Sequence, residues 1–449
     1  MGEPARKEDP VPEPQEAEPD PGSGEASETL NLRAVGDPPT DEFVECLKDK
    51  HGVLAIGALL DLLLQWDPTK AFPEPPKGFP AGLVEEAQGY LHAPGLLDGA
   101  FPEIFWPKIH RAQNLFAKFE RSGLIVLGCA SLPACYAFPG VASVLMGSGR
   151  LSVQVTRRLQ DTIAFLTKVM TPGSLDPKGA DKKESGEGTL WIRKVRLLHS
   201  LMRCLTLADP KNLEEKLALD RASHFFLNLD WHSDGNAKKD LMPIDQCELA
   251  FVLLTFSWLL VRGFGRLYLP MSRAEADDHL YTWSVIGHAL GIRESLRPAT
   301  AKAAEAMFDG MEATLEQGTE GGRLLAAALV VYIVGRQREA VLEYLPHPRK
   351  PWVQSLINTV KPFAEACLES LARTWVRKLA GPRTAKFLWI PRAPFIHWVV
   401  GKILRTAMRW LEQFRQRDFR PRILGGERSE AGLAARIGYR LRSVQRSGR

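Results

Sequence analysis

Three side chains that could do chemistry recur at helical spacing: Arg196, His199 and Arg203, at i, i+3 and i+7. At about 100° per residue they fall within roughly 60° of one helix face. Val195, Leu197, Leu198, Leu201, Met202 and Leu205 flank them. Two guanidinium groups and an imidazole on a helix that is otherwise apolar all round cannot simply be its solvent side. Buried guanidinium groups need anionic partners. A haem meets both demands, because its iron takes an imidazole and its propionates take arginines. A satisfied structural histidine on a half-exposed helix fits the same pattern and is the commoner origin of it.

A second group lies upstream. Arg158 and Thr162 are i, i+4, with Asp161 beside them and Arg157 adding another cation. A cation, a carboxylate and a hydroxyl facing one cavity would steer a bound O2 or a propionate. An intrahelical Arg–Asp pair on a wet surface is the bland alternative. His288, next to Gly287, is a reserve ligand with a structural role as its plainer reading, and His224, His232 and His279 read as exposed. No Glu-x-x-His occurs, which disfavours a carboxylate-bridged di-iron bundle. P-loop, G-x-G-x-x-G and G-x-S-x-G motifs are also missing, so nucleotide-dependent and serine-hydrolase chemistries have no motif support.

The elements that must position these groups are helical almost throughout, with no long alternating β-patterns. Helices are expected at 41–66, 83–91, 101–121, 151–170, 189–207, 245–261, 272–290, 298–317, 320–343, 351–380 and 394–417. The apolar stretch 122–147, broken by Pro133 and Pro139, reads as short buried helices, and 208–240 as irregular. Asp245/Glu248 and Ser272/Glu275 have capping-box spacing. The fold class expected is all-α.

The chain has 449 residues, 45% hydrophobic and 25% charged, the balance of an ordinary globular protein. A net charge of +5 does not suggest a nucleic-acid binder. The charge is uneven: residues 1–40 hold ten acidic and three basic side chains with eight prolines, and 419–449 hold eight arginines and two glutamates. The expected organisation is a disordered acidic head at 1–40, one helical domain at 41–417 and a basic tail at 418–449. No signal peptide is evident, and the longest apolar run, Leu249 to Val261, is too short to span a bilayer. Six cysteines without a C-x-x-C pair suit a reducing compartment. A cytoplasmic location follows, with peripheral membrane contact through the basic-aromatic stretch 387–449 as a further option.

Several pieces in order carry a resemblance. They are Tyr136-Ala-Phe-Pro139, Gly147-Ser-Gly-Arg-Leu151, Arg157-Arg-Leu-Gln-Asp161-Thr162, Val195-Arg-Leu-Leu-His199-Ser-Leu-Met-Arg203, Pro243 to Leu249, and Tyr281 to Gly291. The stretch 130–300 resembles the catalytic domain of the latex-clearing proteins (bacterial rubber oxygenases) and of the related ER-bound oxygenase of mycophenolic acid synthesis. That resemblance implies a globin-like helical core with haem b, His199 as proximal ligand, and Arg196 and Arg203 around it. It places Arg158 and Thr162 beside the distal pocket. It implies O2-dependent cleavage of C=C bonds in isoprenoid chains. The rubber-cleaving members carry a lysine, able to cap the iron, where this chain has Asp161. A carboxylate cannot act as a neutral amine ligand, but it can accept or relay a proton.

The reading is thus a haem b oxygenase acting with O2 on an apolar, prenyl-like substrate, with Arg158, Asp161 and Thr162 on the catalytic side. A haem-binding sensor or carrier without catalysis, and a haem-free helical scaffold at a membrane surface, are the alternatives.

Overall fold

The structure is a computed structural model that describes residues 32–98, 103–147, 151–177, 186–208, 213–223, 241–314, 318–344 and 369–391. Among these residues there are helices and no strand, as an all-α chain requires. Helix α1 (Pro38–His51) and α2 (Val53–Gln65) divide at Gly52, whose φ of 84° lies in the left-handed region that glycine adopts at little cost. Then come α3 (Ala81–His92) and α4 (Trp106–Lys118), the latter with Pro107 in its first turn, where a missing N–H costs nothing. The apolar stretch forms α5 (Glu120–Val126), a π-turn (Leu127–Ser131), α6 (Leu132–Ala137) and α7 (Pro139–Gly147), bent by 97° where Pro139 begins the last helix. Helix α8 (Leu151–Val169) and the 21-residue α9 (Glu187–Leu207) follow.

Downstream are α10 (Leu213–Ser223), α11 (Gln246–Phe256), α12 (Trp258–Arg266), α13 (Arg273–Ala289), α14 (Ala301–Ala313) and α15 (Glu320–Tyr344), closed by a helical segment at 369–379 and α16 (Pro382–Phe387). Helix α10 occupies part of a stretch expected to be irregular. Its Leu219 packs in the core, which its composition alone does not announce. Residues 32–40, placed in the acidic head by composition, are packed against the body instead: Asp37 is 2% exposed and Thr40 1%. Residues 1–31, and the basic segment from 392 onward, lie outside the described residues, as does the expected helix at 394–417.

The core has a large central cluster, which includes residues of α5–α8, α11 and α13, and a second that joins α1, α2 and α3 to α9. Helix α9 serves both. Trp191 and Ile192 belong to the central cluster, whereas Leu197, Leu198, Leu201 and Leu205 belong to the second. Fourteen of its residues are buried, so its polar face is not a solvent face. The apolar run at 249–261 extends further than expected. Gln246–Arg266 is long and apolar enough to cross a membrane by length and composition, but most of its apolar stretch is buried within the fold, as a core helix would be. It is broken at Ser257, whose hydroxyl donates back to Leu253 O at 2.8 Å.

Candidate active site

A cavity of about 300 Å³ lies between α6–α9, α11 and α13, walled mostly by carbon. That is the lower end of the range for ligand sites, roughly 300–1,000 Å³. Val144, Leu145, Phe165, Leu249, Val252 and Phe256 supply apolar wall, and His199, Asp161 and Thr162 reach it from α9 and α8. The structure therefore brings three of the six sequence-predicted residues to one cavity. Helix α8 carries Arg158 as well, but its side chain lies outside the described residues.

His199 is set up as a neutral base. Burial, helped by the nearby Arg203 charge, pushes its imidazole down to about 4, against a weaker opposing pull from Asp37. Nδ1 is buried without a hydrogen-bond partner. A neutral imidazole on a carbon-walled cavity, with one ring nitrogen that no protein group takes up, has the chemistry of a metal ligand. No group of three or more His, Cys, Asp or Glu gathers anywhere among the described residues, so side chains alone build no metal cage there. The donor set fits a metal carried in its own macrocycle, which needs only one protein ligand.

Arg196 and Arg203 do not reach the cavity wall. Arg196 makes a fork on Asp37, Nε to Oδ2 at 2.5 Å and Nη2 to Oδ1 at 2.7 Å, and its Nη1 donates to Ala289 O at 3.3 Å. Arg203 meets Asp41 Oδ1 through Nε at 2.9 Å and Nη2 at 2.7 Å, and gives Nη1 to Ile244 O at 3.0 Å. The reasoning that buried guanidinium groups need anions holds, but the anions come from the start of α1 and not from a cofactor. That removes the physical ground for assigning both arginines to propionates. The Arg196–Asp37 fork is of the strong, directional kind, whereas Arg203 converges on one Asp41 oxygen to which only Nε donates.

Other expectations change likewise. His279 is 1% exposed, not a surface residue, because α13 is buried nearly all round. Burial drives its imidazole down to about 4. His288 gives Nε2 to Asp98 O at 2.9 Å and is not on the cavity wall. His224 and His232 lie outside the described residues.

Two charged cavity residues escaped sequence reasoning. Lys194 is 4% exposed and sends Nζ to Trp66 O at 2.5 Å. Its place one turn before Leu198 was readable, but its burial depends on α2. Glu248 has capping-box spacing from Asp245, and half of the box forms: Asp245 Oδ1 accepts from Glu248 N at 2.8 Å. The Glu248 carboxylate instead accepts from Ile244 N at 2.9 Å and lines the cavity, 2% exposed. Burial, reinforced by the Asp245 charge, raises it well above the usual carboxylate range. Its signal in the sequence was one carboxylate heading a thirteen-residue stretch that is apolar except for Thr255 and Ser257. Cys135, also on the wall, is pushed up to about 12 by burial and stays a thiol, so it is no nucleophile.

Comparison with known proteins gives a consistent picture. Residues 118–412 match the family model described as ER-bound oxygenase mpaB/B'/rubber oxygenase, catalytic domain. The rubber oxygenase of Streptomyces sp. (strain K30) is 22% identical over 388 residues, covering 83% of this chain and 81% of that protein. The solved structure of latex clearing protein LCP in the closed state superposes with a TM-score of 0.56 over 90% of each chain at 17% identity, which shows a shared fold. With the family model spanning well over half of its length, the chain belongs to the family of mpaB/B' and rubber oxygenase catalytic domains.

Proposed function

We propose that this protein is a haem b-dependent oxygenase that uses O2 on an apolar, prenyl-type substrate. One observation carries the reading: a buried, neutral His199 with an unused ring nitrogen shares a carbon-walled cavity with Asp161 and Thr162 in a chain of an oxygenase family. When bound, haem supplies the redox chemistry with O2 that no side chain here can provide. His199 would hold the iron from α9. The apolar walls exclude water and take up the hydrocarbon part of the substrate. Asp161 and Thr162, one residue apart on α8, offer a proton acceptor and a hydroxyl at the same wall, with Arg158 one turn earlier on that helix. The carboxylate of Asp161 in place of the lysine that the family resemblance leads one to expect favours a substrate or a proton path different from that of rubber cleavage.

The visible spectrum of the freshly purified protein tests the cofactor. A Soret band is expected, and His199→Ala should remove it. A His199→Ala protein that keeps a full haem complement would overturn the ligand assignment. Oxygen uptake with farnesol as probe is expected of an oxygenase; CO binding without any such uptake would point to a sensor or carrier. A colourless protein that binds anionic vesicles would point to the scaffold reading.

A further inference from the structure

A short N-terminal strap crosses beneath the helix that carries His199. Residues 32–37 run alongside 241–246: Met242 N donates to Arg33 O at 2.9 Å, Gln246 N to Val35 O at 2.9 Å, and Gln246 Nε2 to Gly36 O at 2.5 Å. The strap then turns into α1 and delivers two carboxylates to one face of α9. Asp37 takes the fork of Arg196, three residues before His199. Asp41 takes Ser200 Oγ at 2.6 Å and the Arg203 guanidinium, one and four residues after it. The Asp41 carboxylate is also tied to the strap itself, since the Asp37 backbone N–H donates to Asp41 Oδ2 at 2.8 Å. Two glycines make room. A Cβ on Gly36 would sit 2.5 Å from Asp41 Oδ2, and one on Gly291 would sit 2.5 Å from Asp37 Cγ. So three side chains bracketing His199 are anchored to a segment that lies wholly outside residues 118–412, the part that matches the oxygenase family.

We infer that Asp37 and Asp41 are positioning residues that set the rotation of α9, and with it the direction in which His199 faces the cavity. The inference rests on His199 as the iron ligand. A helix with side chains fixed on both flanks of one residue loses the freedom to rotate about its axis. Ligand orientation is a recognised lever on metal affinity and redox poise, typically through groups one step removed from the metal. The pairing also fixes charge. With Asp37 in place the Arg196 cation, three residues from His199, is neutralised; without it a bare positive charge remains there.

Full-length wild type, Asp37→Asn, Asp41→Asn and the double variant Asp37→Asn/Arg196→Gln test this by two measurements. The first is hydrogen exchange of the α9 amides, read on protein with or without haem. Both single variants should exchange faster across 196–203, while α14 amides stay as in wild type. The second is the midpoint potential of the bound haem. Asp37→Asn should move it to a more positive value, because an uncompensated cation favours the reduced iron, and the double variant should bring it back towards wild type. The part of the shift that the double variant reverses is the charge effect, and the part that remains is the loss of the anchor on α9. Wild-type exchange in both single variants, or a midpoint potential in Asp37→Asn that equals that of wild type, overturns the inference. If Asp37→Asn does not fold, the double variant, which buries neither charge alone, carries the exchange measurement, and unchanged protection there overturns it. A wild type without a Soret band sinks the haem reading instead, and the exchange measurement then decides the strap by itself.

Discussion

His279 shows how a single buried imidazole can set an acid limit. It packs against Trp283 with ring centroids 6.3 Å apart, and its Nε2 is buried without a partner. Burial lowers its folded value to about 4, although backbone groups at Phe256 and Ser257 pull the other way. Between that value and the unfolded one near 6.5 the unfolded chain binds the extra proton, so stability rises with pH across this window and is lost as pH falls through it. The contribution is on the order of 3 kcal/mol. Chemical denaturation at pH 7 and pH 4.5 should show a smaller acid loss in His279→Phe than in wild type, and equal losses would exclude His279 as a cause. Gly140 poses a steric version of the same dependence. A Cβ there would lie 1.5 Å from Glu248 Oε1, so Gly140→Ala must drive the carboxyl out of its place. A loss of roughly 1–3 kcal/mol in unfolding free energy is expected, as for other overpacked sites. A variant as stable as wild type would show that Glu248 has a second comfortable rotamer.

At the scale of elements, helix starts were the most legible feature. Ser272 accepts from Glu275 N at 3.3 Å while Glu275 Oε2 accepts from Ser272 N at 2.8 Å, so the spacing of two residue types foretold a complete capping box. Ser272→Ala should cost about 1 kcal/mol in a denaturant titration, and no loss would mean that the end of α13 is held by packing alone. The box at Asp245 formed only in part, because Glu248 found Ile244 N, presented by a residue at φ 55°, and a cavity to face. Local spacing could not announce that competition, which depends on tertiary neighbours. The same holds for the arginines of α9. Their need for anions was readable from Arg196 and Arg203 on an apolar helix, whereas the source of the anions, about 160 residues upstream, was not. His199, Asp161 and Thr162 were found from order and type along the chain. Lys194 and the burial of His279 were not, since helical periodicity reports a face and not what covers it.

At the scale of the whole molecule, the second hydrophobic cluster has a consequence for where this protein can be cut. The match to the family model begins at residue 118, yet Val44, Leu47, Ile56, Leu59, Leu60, Leu63 and Leu91 pack with Leu197, Leu201 and Leu205 across that boundary. A fragment of residues 118–412 would bare that leucine row on α9, and its contiguous apolar patch would drive self-association. Expression of that fragment should yield insoluble material, and adding a separately produced piece of residues 32–98 during refolding should recover soluble complex. A soluble, monomeric fragment would refute this. On this packing, the stretch matched by the family model would be a partial folding unit, completed by residues 32–98, which cover the helix that bears His199.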